Sequence, residues 1–380
     1  MLMMRYGKEH ISWRRGIVIL SVVIGLFTFG GEKTNAALLD GLMDWVEEPL
    51  AERIAKKGQR LTTGNFYTPE RPDSHGPLGV MQDHTHNEGE FMMSFRYMRM
   101  NMDENRTGTM TQSLDSVLKQ YQIAPEDMHM NMYMFSAMYG FNKTVTLMAM
   151  IPYAEKSMNH GTRMGGQFQT ESGGFGDIKL STLWRLWAIE APSIGTHRFH
   201  LNIGVSLPTG DLQPSDGTPM GVSVLPYPMR LGSGTVDFLP GLTYTGQTSD
   251  YSWGLQALGT HRIGTNKYGY SLGNNYHVTG WSAYRWSNWI STSVRFNYGW
   301  WDDYSGRDNS LNPMMVPTAD PLRRGGQRLD IMGGVNFLFP EWMGIENRIA
   351  VEGGVPIYQD LAGPQLETDY IVWAGFQFVK

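Results

Sequence analysis

The chain of 380 residues contains no cysteine, so no disulfide framework supports it, and stability must come from extensive backbone pairing or a large core. Beyond residue 30 it also lacks any run near the ~20 consecutive apolar residues of a spanning helix, which excludes a helical membrane protein. Charged residues make up only 18% of the chain and the net charge is −5, which argues against nucleic acid as a partner. No nucleophile stands beside a base in a motif: His200, His261 and His277 and the serines Ser206, Ser252 and Ser271 are scattered. The glycine-rich pieces at 173–176 and 232–234 precede strand-like rather than helical segments, so the helix N-terminus of a phosphate site is missing. An enzyme is not expected.

What is present starts at the N-terminus. Arg5, Lys8, Arg14 and Arg15 precede the apolar run Gly16–Gly30, and the small-residue site Thr34-Asn35-Ala36-Ala37 follows. This is the pattern of a secretory signal peptide, cleaved near Ala36. Residues 1–36 are therefore read as the signal peptide, 37–89 as an N-terminal periplasmic segment and linker, and 90–380 as the main domain. Leu39, Leu42, Met43, Val46, Leu50 and Ile54 recur at three- and four-residue spacing, the mark of a short helical segment within residues 38–60. Pro69, Pro72 and Pro77 mark residues 61–79 as a linker.

From Glu90 onward the hydropathy alternates with a period of two. Phe91, Met93, Phe95 and Tyr97 oppose Met92, Ser94, Arg96 and Met98; Phe199, Leu201, Ile203 and Val205 oppose His200, Asn202, Gly204 and Ser206. About twelve such segments follow, an even number of the kind used by bacterial barrels. Long connections (103–127, 154–176, 208–234, 301–327) alternate with short turns such as 140–142, 246–250 and 287–289. A sandwich gives no reason for that asymmetry, whereas an outer-membrane barrel has short periplasmic turns and long external loops. The mean hydropathy of −0.32 fits, because barrel strands are apolar only at alternate positions. The expected fold is all-β: a transmembrane antiparallel up-and-down β-barrel of about 12 strands, closed by the aromatic terminal strand 369–378 against 90–102. Its location would be the outer membrane of a Gram-negative bacterium, with lipid around the wall.

Methionine is the compositional anomaly, with 26 in the chain. Alternation places Met92, Met98, Met100, Met130, Met132, Met134, Met148 and Met150 on the inner face, a thioether-lined wall that suits an apolar solute track or serves as flexible filler. Soft thioethers also suit copper(I), and His84, His86 and His129 would add imidazole. Arg96, Arg185, Arg295, Arg328, Asp330 and Glu352 are further inward candidates, either setting a field across a pore or pairing between strands.

Residues Met92–Asp103, Ser206–Asp211, Leu225–Tyr244 and Gly363–Asp369 resemble outer-membrane transporters of the family named after the meta-cleavage pathway of phenol degradation. The resemblance covers about residues 76–380. It implies a barrel with an uptake or export role and supplies no residue-level mechanism. Three functions stay open: a channel or transporter for a small, partly apolar solute, a copper-linked envelope protein using the Met/His wall, and a closed structural barrel.

Overall fold

In the computed structural model the described residues are 71–191, 195–342 and 345–380. The expected signal peptide and the helical segment at 38–60 lie outside them. No described helix is long and apolar enough to cross a membrane.

Eleven elements close into a ring: β1 (Phe91–Gly108), β2 (Ile123–Gly140), β3 (Val145–Thr162), β4 (Ile178–Ala191), β5 (Gly195–Leu207), β6 (Val236–Gln247), β7 (Tyr251–Ile263), β8 (Asn275–Arg285), β9 (Ile290–Trp301), β10 (Gly326–Trp342) and β11 (Ile345–Val379). Each pairs antiparallel with its neighbour in the chain, and β11 returns to pair with β1. The last element is doubled. Residues 345–361 pair with β10 and residues 361–379 with β1, so its two arms bring the wall to the twelve passes expected. The seam keeps one register from Met92 opposite Val379 to Asn101 opposite Tyr370 and continues, with shifts, to Gly108 opposite Leu361. It is locked at its end by reciprocal 2.8 Å hydrogen bonds between the backbones of Phe91 and Lys380.

The strands form because β-branched and aromatic residues alternate with small or polar ones, which suits a pleated surface with two different faces. The polar face is the buried one. Asn202, Thr243, Asp237 and Ser291 are each fully enclosed, whereas Phe135, Leu242, Leu255 and Phe296 lie exposed on the outside. A water-soluble sandwich would invert this. A closed ring with an apolar outer belt has no free sheet edge and satisfies its backbone internally, the requirement for crossing hydrocarbon with strands.

Two differences from the expected layout have local causes. The wall rises into segments read as loops: β1 continues to Gly108, β3 to Thr162, and a further strand, Gln167–Phe175, pairs with the upper half of β3. There both faces turn polar, so the hydropathy period vanishes although backbone pairing continues. Unbroken alternation along the terminal strand 369–378 would put Asp369 on the inner face, but it is exposed; the pairing shifts register between Asn101 and Met102, so Thr368 faces inward instead. At the long-loop end a short helix, α1 (Leu114–Leu118), is capped by the Ser113 side chain and packs Val117 against Tyr121 and Ala124.

A membrane-facing belt predicts depth-dependent costs. Leu242→Arg, at the middle of β6, should destabilise the protein refolded in vesicles by roughly 2–4 kcal/mol, and Tyr251→Arg, at the short-turn end of β7, by about 1 kcal/mol or less. Denaturant titration in lipid vesicles reads both, and equal costs would contradict the belt.

Candidate functional site, a plugged lumen lined with methionine

Register turns the scattered methionines into a surface. Even-numbered residues face inward along 92–102 of β1, 128–140 of β2 and 146–154 of β3, so Met92 pairs with Met138 and Met98 with Met132, while Met100 pairs with Met130 and Met102 with Met128. Met138 then meets Met148, and Met128 meets Met158. Met92, Met98, Met134, Met138, Met148 and Met150 form one cluster, with Met81, Met100, Met130, Met132 and Trp373 packed on it. Met128 and Met158 form a second cluster with Leu225 and Met229 of a long loop, and Met102 packs against it. From Met92 to Met102 the stripe covers about 33 Å of strand, comparable to a bilayer core. The same alternation carries His129 to the opposite, outward row, with Asn131 and Tyr133. It is therefore turned away from His84 and His86, and the three histidines expected to share a site do not meet.

Two of the inward arginines, Arg295 and Arg328, are paired with carboxylates. Arg295 grips Glu352 with two hydrogen bonds, Nε to Oε1 at 2.7 Å and Nη2 to Oε2 at 3.2 Å, both residues being buried. Such a fork is stronger than a single contact. Arg328 lies 2.7 Å from Asp330 and donates to Thr368 at 2.6 Å. Arg96 donates to the Val80 carbonyl at 2.9 Å and touches the Met81 sulfur. Arg185 sits at the short-turn end of β4, where its backbone N–H donates to the Thr144 carbonyl at 2.7 Å.

Several of these groups hold a plug. Residues 71–89, expected as linker, run inside the ring and are anchored along their length. Ser291 donates to the Pro72 carbonyl at 2.9 Å, Arg348 to the Gly76 carbonyl at 2.8 Å, and the Gly79 N–H donates to Glu352 at 2.7 Å. Gln82, in a left-handed conformation (φ 59°), donates to Ser181 at 2.8 Å, and its carbonyl accepts from Gln256 at 3.2 Å and lies 2.9 Å from His200 Nε2. His200 is thus committed to the plug backbone. The approach at Gly79 is so close that a Cβ there would lie 2.2 Å from Arg295 Nη2. Low local hydrophobicity and two prolines, Pro72 and Pro77, disguised this segment, because its partners are hydrogen-bonding groups far away in sequence.

The plug carries its own polar cluster. His75, Asp83 and His84 offer ligand atoms within 4.8 Å of one another. His84 Nδ1 lies 3.0 Å from Asp83 Oδ1, and the His84 and His86 rings are 4.7 Å apart. Burial, then the charges of His84 and Arg348, depresses His75 well below the usual histidine range. Burial pushes the Asp83 carboxyl up, but His84, His75 and Arg96 outweigh it and hold it well below the carboxylate range. His86 is lowered by burial against the opposing pull of Glu90. The sequence pointed to His84 and His86; it gave no signal for His75, nine residues before His84 in a segment resembling linker.

The long-loop end is covered as well. Leu225 and Met229 close on the second methionine cluster, and Lys156 donates to the carbonyls of Pro228 and Arg230 at 2.8 and 2.6 Å. Arg230 reaches Asp308 at 2.8 Å and the Tyr270 hydroxyl at 2.8 Å. Burial raises Asp308, but hydrogen bonds from Ser310 and Arg230 outweigh it and hold the carboxyl below its usual range.

Neither a family model nor a curated protein matches the chain. Among solved structures, an outer-membrane channel from Pseudomonas putida F1 is similar with a TM-score of 0.55 at 11% identity, over 80% of this chain and 100% of that one. That likeness establishes the barrel fold. A Pseudomonas aeruginosa FadL homologue (TM-score 0.37, 9% identity, 83% of this chain and 98% of that one) and the P. putida toluene transporter TodX (TM-score 0.33, 10% identity, 78% and 90%) are too distant in shape to carry an argument.

Gly79→Val should dislodge the plug without opening the wall: hydrogen exchange at residues 76–82 accelerates, while the heat-dependent gel shift of a folded barrel persists. Unchanged exchange would contradict the contacts at Glu352. Since Asp308 has a folded-state pKa below its free value of 3.8, its contribution is complete above that value and is lost as pH falls through the lowered one. The protection factors of residues 225–231, which divide out the intrinsic pH dependence of amide exchange, should therefore stay flat from neutral pH down to about 4 and fall only below it. Arg230→Gln should move that onset upward.

Proposed function

We propose that this protein is an outer-membrane channel of a Gram-negative bacterium that passes a small, partly apolar solute along its methionine stripe once the plug shifts. One observation carries the reading: thioethers on adjacent strands make a continuous inner surface between the plug at one end and the loop cap at the other. Thioether side chains are flexible and polarisable, so they accommodate apolar and aromatic groups without one fixed shape. The resemblance to transporters named after the meta-cleavage pathway of phenol degradation supports an aromatic or similarly compact solute. The outward apolar belt supports lipid as the surrounding partner, and nothing in the mechanism calls for a bond-breaking residue.

The paired arrangement of Arg295 with Glu352 and Arg328 with Asp330 supports weak ion selectivity, because the charges neutralise each other before they meet a solute. A second reading, a closed structural barrel, draws on the number of wall groups holding the plug. Flux separates the two. In proteoliposomes, uptake of a neutral aromatic solute should exceed that of protein-free vesicles and should increase with Gly79→Val. Met98→Asp combined with Met132→Asp should lower it on the order of tenfold, equivalent to about 1.4 kcal/mol against an apolar solute. Absence of flux through both the wild-type and the Gly79→Val protein, each folded, would favour the structural barrel.

A further inference from the structure

We propose that the plug contains a binding site for one divalent transition-metal ion, with His75, Asp83 and His84 as ligands and His86 as the fourth. The three groups offer donor atoms within 4.8 Å of one another. Ligands of a tetrahedral ion held at about 2.05 Å stand roughly 3.3 Å apart, so small side-chain rotations close the shell. The unsatisfied atoms lie where ligands are needed: Nε2 of His84, Nδ1 of His75 and Nε2 of His86 are buried with no hydrogen-bond partner, and Nδ1 of His84 faces only Asp83 Oδ1 at 3.0 Å. Three such orphans within twelve residues of one segment, His84 and His86 being over nine-tenths buried, are costly as packing alone.

The supporting contacts have the form that metal sites use. His86 Nδ1 lies 2.7 Å from Glu90 Oε1, which fixes the tautomer with its proton on Nδ1 and leaves the Nε2 lone pair free, the carboxylate–histidine arrangement that orients a metal-binding imidazole. Asp83 Oδ2 accepts the Gly76 N–H at 2.7 Å, leaving Oδ1 to face His84. Nearby guanidiniums are engaged elsewhere: Arg348 with Gly76, Asn336 and Gln377, and Arg96 with Val80 and Met81. The donors are imidazole nitrogen and carboxylate oxygen, a set that suits zinc(II) or copper(II) better than the copper(I) favoured by thioethers. An ion held there bridges the entering limb of the plug at His75 to the returning limb at Asp83 and His84, and would brace the loop that carries Gly79 and Gln82. This inference does not depend on the transport reading.

The test uses full-length, untagged protein in detergent, stripped with chelator and dialysed against zinc(II) or cobalt(II). We expect about one equivalent per chain, a cobalt(II) visible spectrum of a nitrogen/oxygen tetrahedral site, and slowed hydrogen exchange at residues 74–86 on zinc addition. Binding should be lost in His84→Ala and His75→Gln and kept in His129→Ala, with heat-dependent gel mobility confirming a folded barrel in each. Folded wild-type protein that takes up no metal would overturn the proposal. So would binding that survives both His84→Ala and His75→Gln. If those variants do not fold, the exchange map of the wild type decides: protection confined to residues 74–86 supports the site, and protection elsewhere or none refutes it.

Discussion

Everything in this molecule depends on closing the sheet. With β1 paired to the last arm of β11 across Met92–Val379, no row of backbone N–H and C=O groups is left facing the apolar surroundings, where each would cost several kcal/mol. Closure also creates two chemically distinct surfaces from one alternating sequence. The outer surface carries Phe135, Leu242 and Phe296, and the inner one carries Asn202, Asp237, Thr243 and the methionines. Polar groups can be buried on the inside because they find partners across the lumen.

Those partners come from two sources, and each shapes the interior differently. Around the wall, charges meet charges, as in the Arg295–Glu352 fork. Across the lumen, wall side chains meet backbone atoms of residues 71–89, which have no regular structure and would otherwise leave their amides and carbonyls unpaired inside the barrel. Gly79 shows both at once: its N–H joins the same carboxylate that Arg295 grips, and a Cβ there would have to push the Arg295–Glu352 pair aside. The methionine stripe adds few directional contacts. It forms a deformable strip between the polar plug and the loop cap, a place where a solute could move without breaking strong hydrogen bonds.

Much of the wall was legible beforehand. The strand segments from Phe91 to Val379, the inward row His200-Asn202-Ser206 and the inward methionines of β1 to β3 all follow from a period of two. The site was only half legible. His84 and His86 stood out as residue types, but Asp83 and His75 joined them only through the folded path of the plug, and His129 was lost because its neighbours Met128 and Met130 point the other way.

What the sequence determined by itself is therefore the local alternation and the even number of passes, since a side chain's face is set by its immediate neighbours along the strand. Only the tertiary structure decided where residues 71–89 run, how the methionines of separate strands join into one stripe, and which histidines meet. Those outcomes rest on register and on hydrogen bonds between residues as distant as Gly79 and Glu352, whose pairing exists only after the ring has closed around the segment inside it.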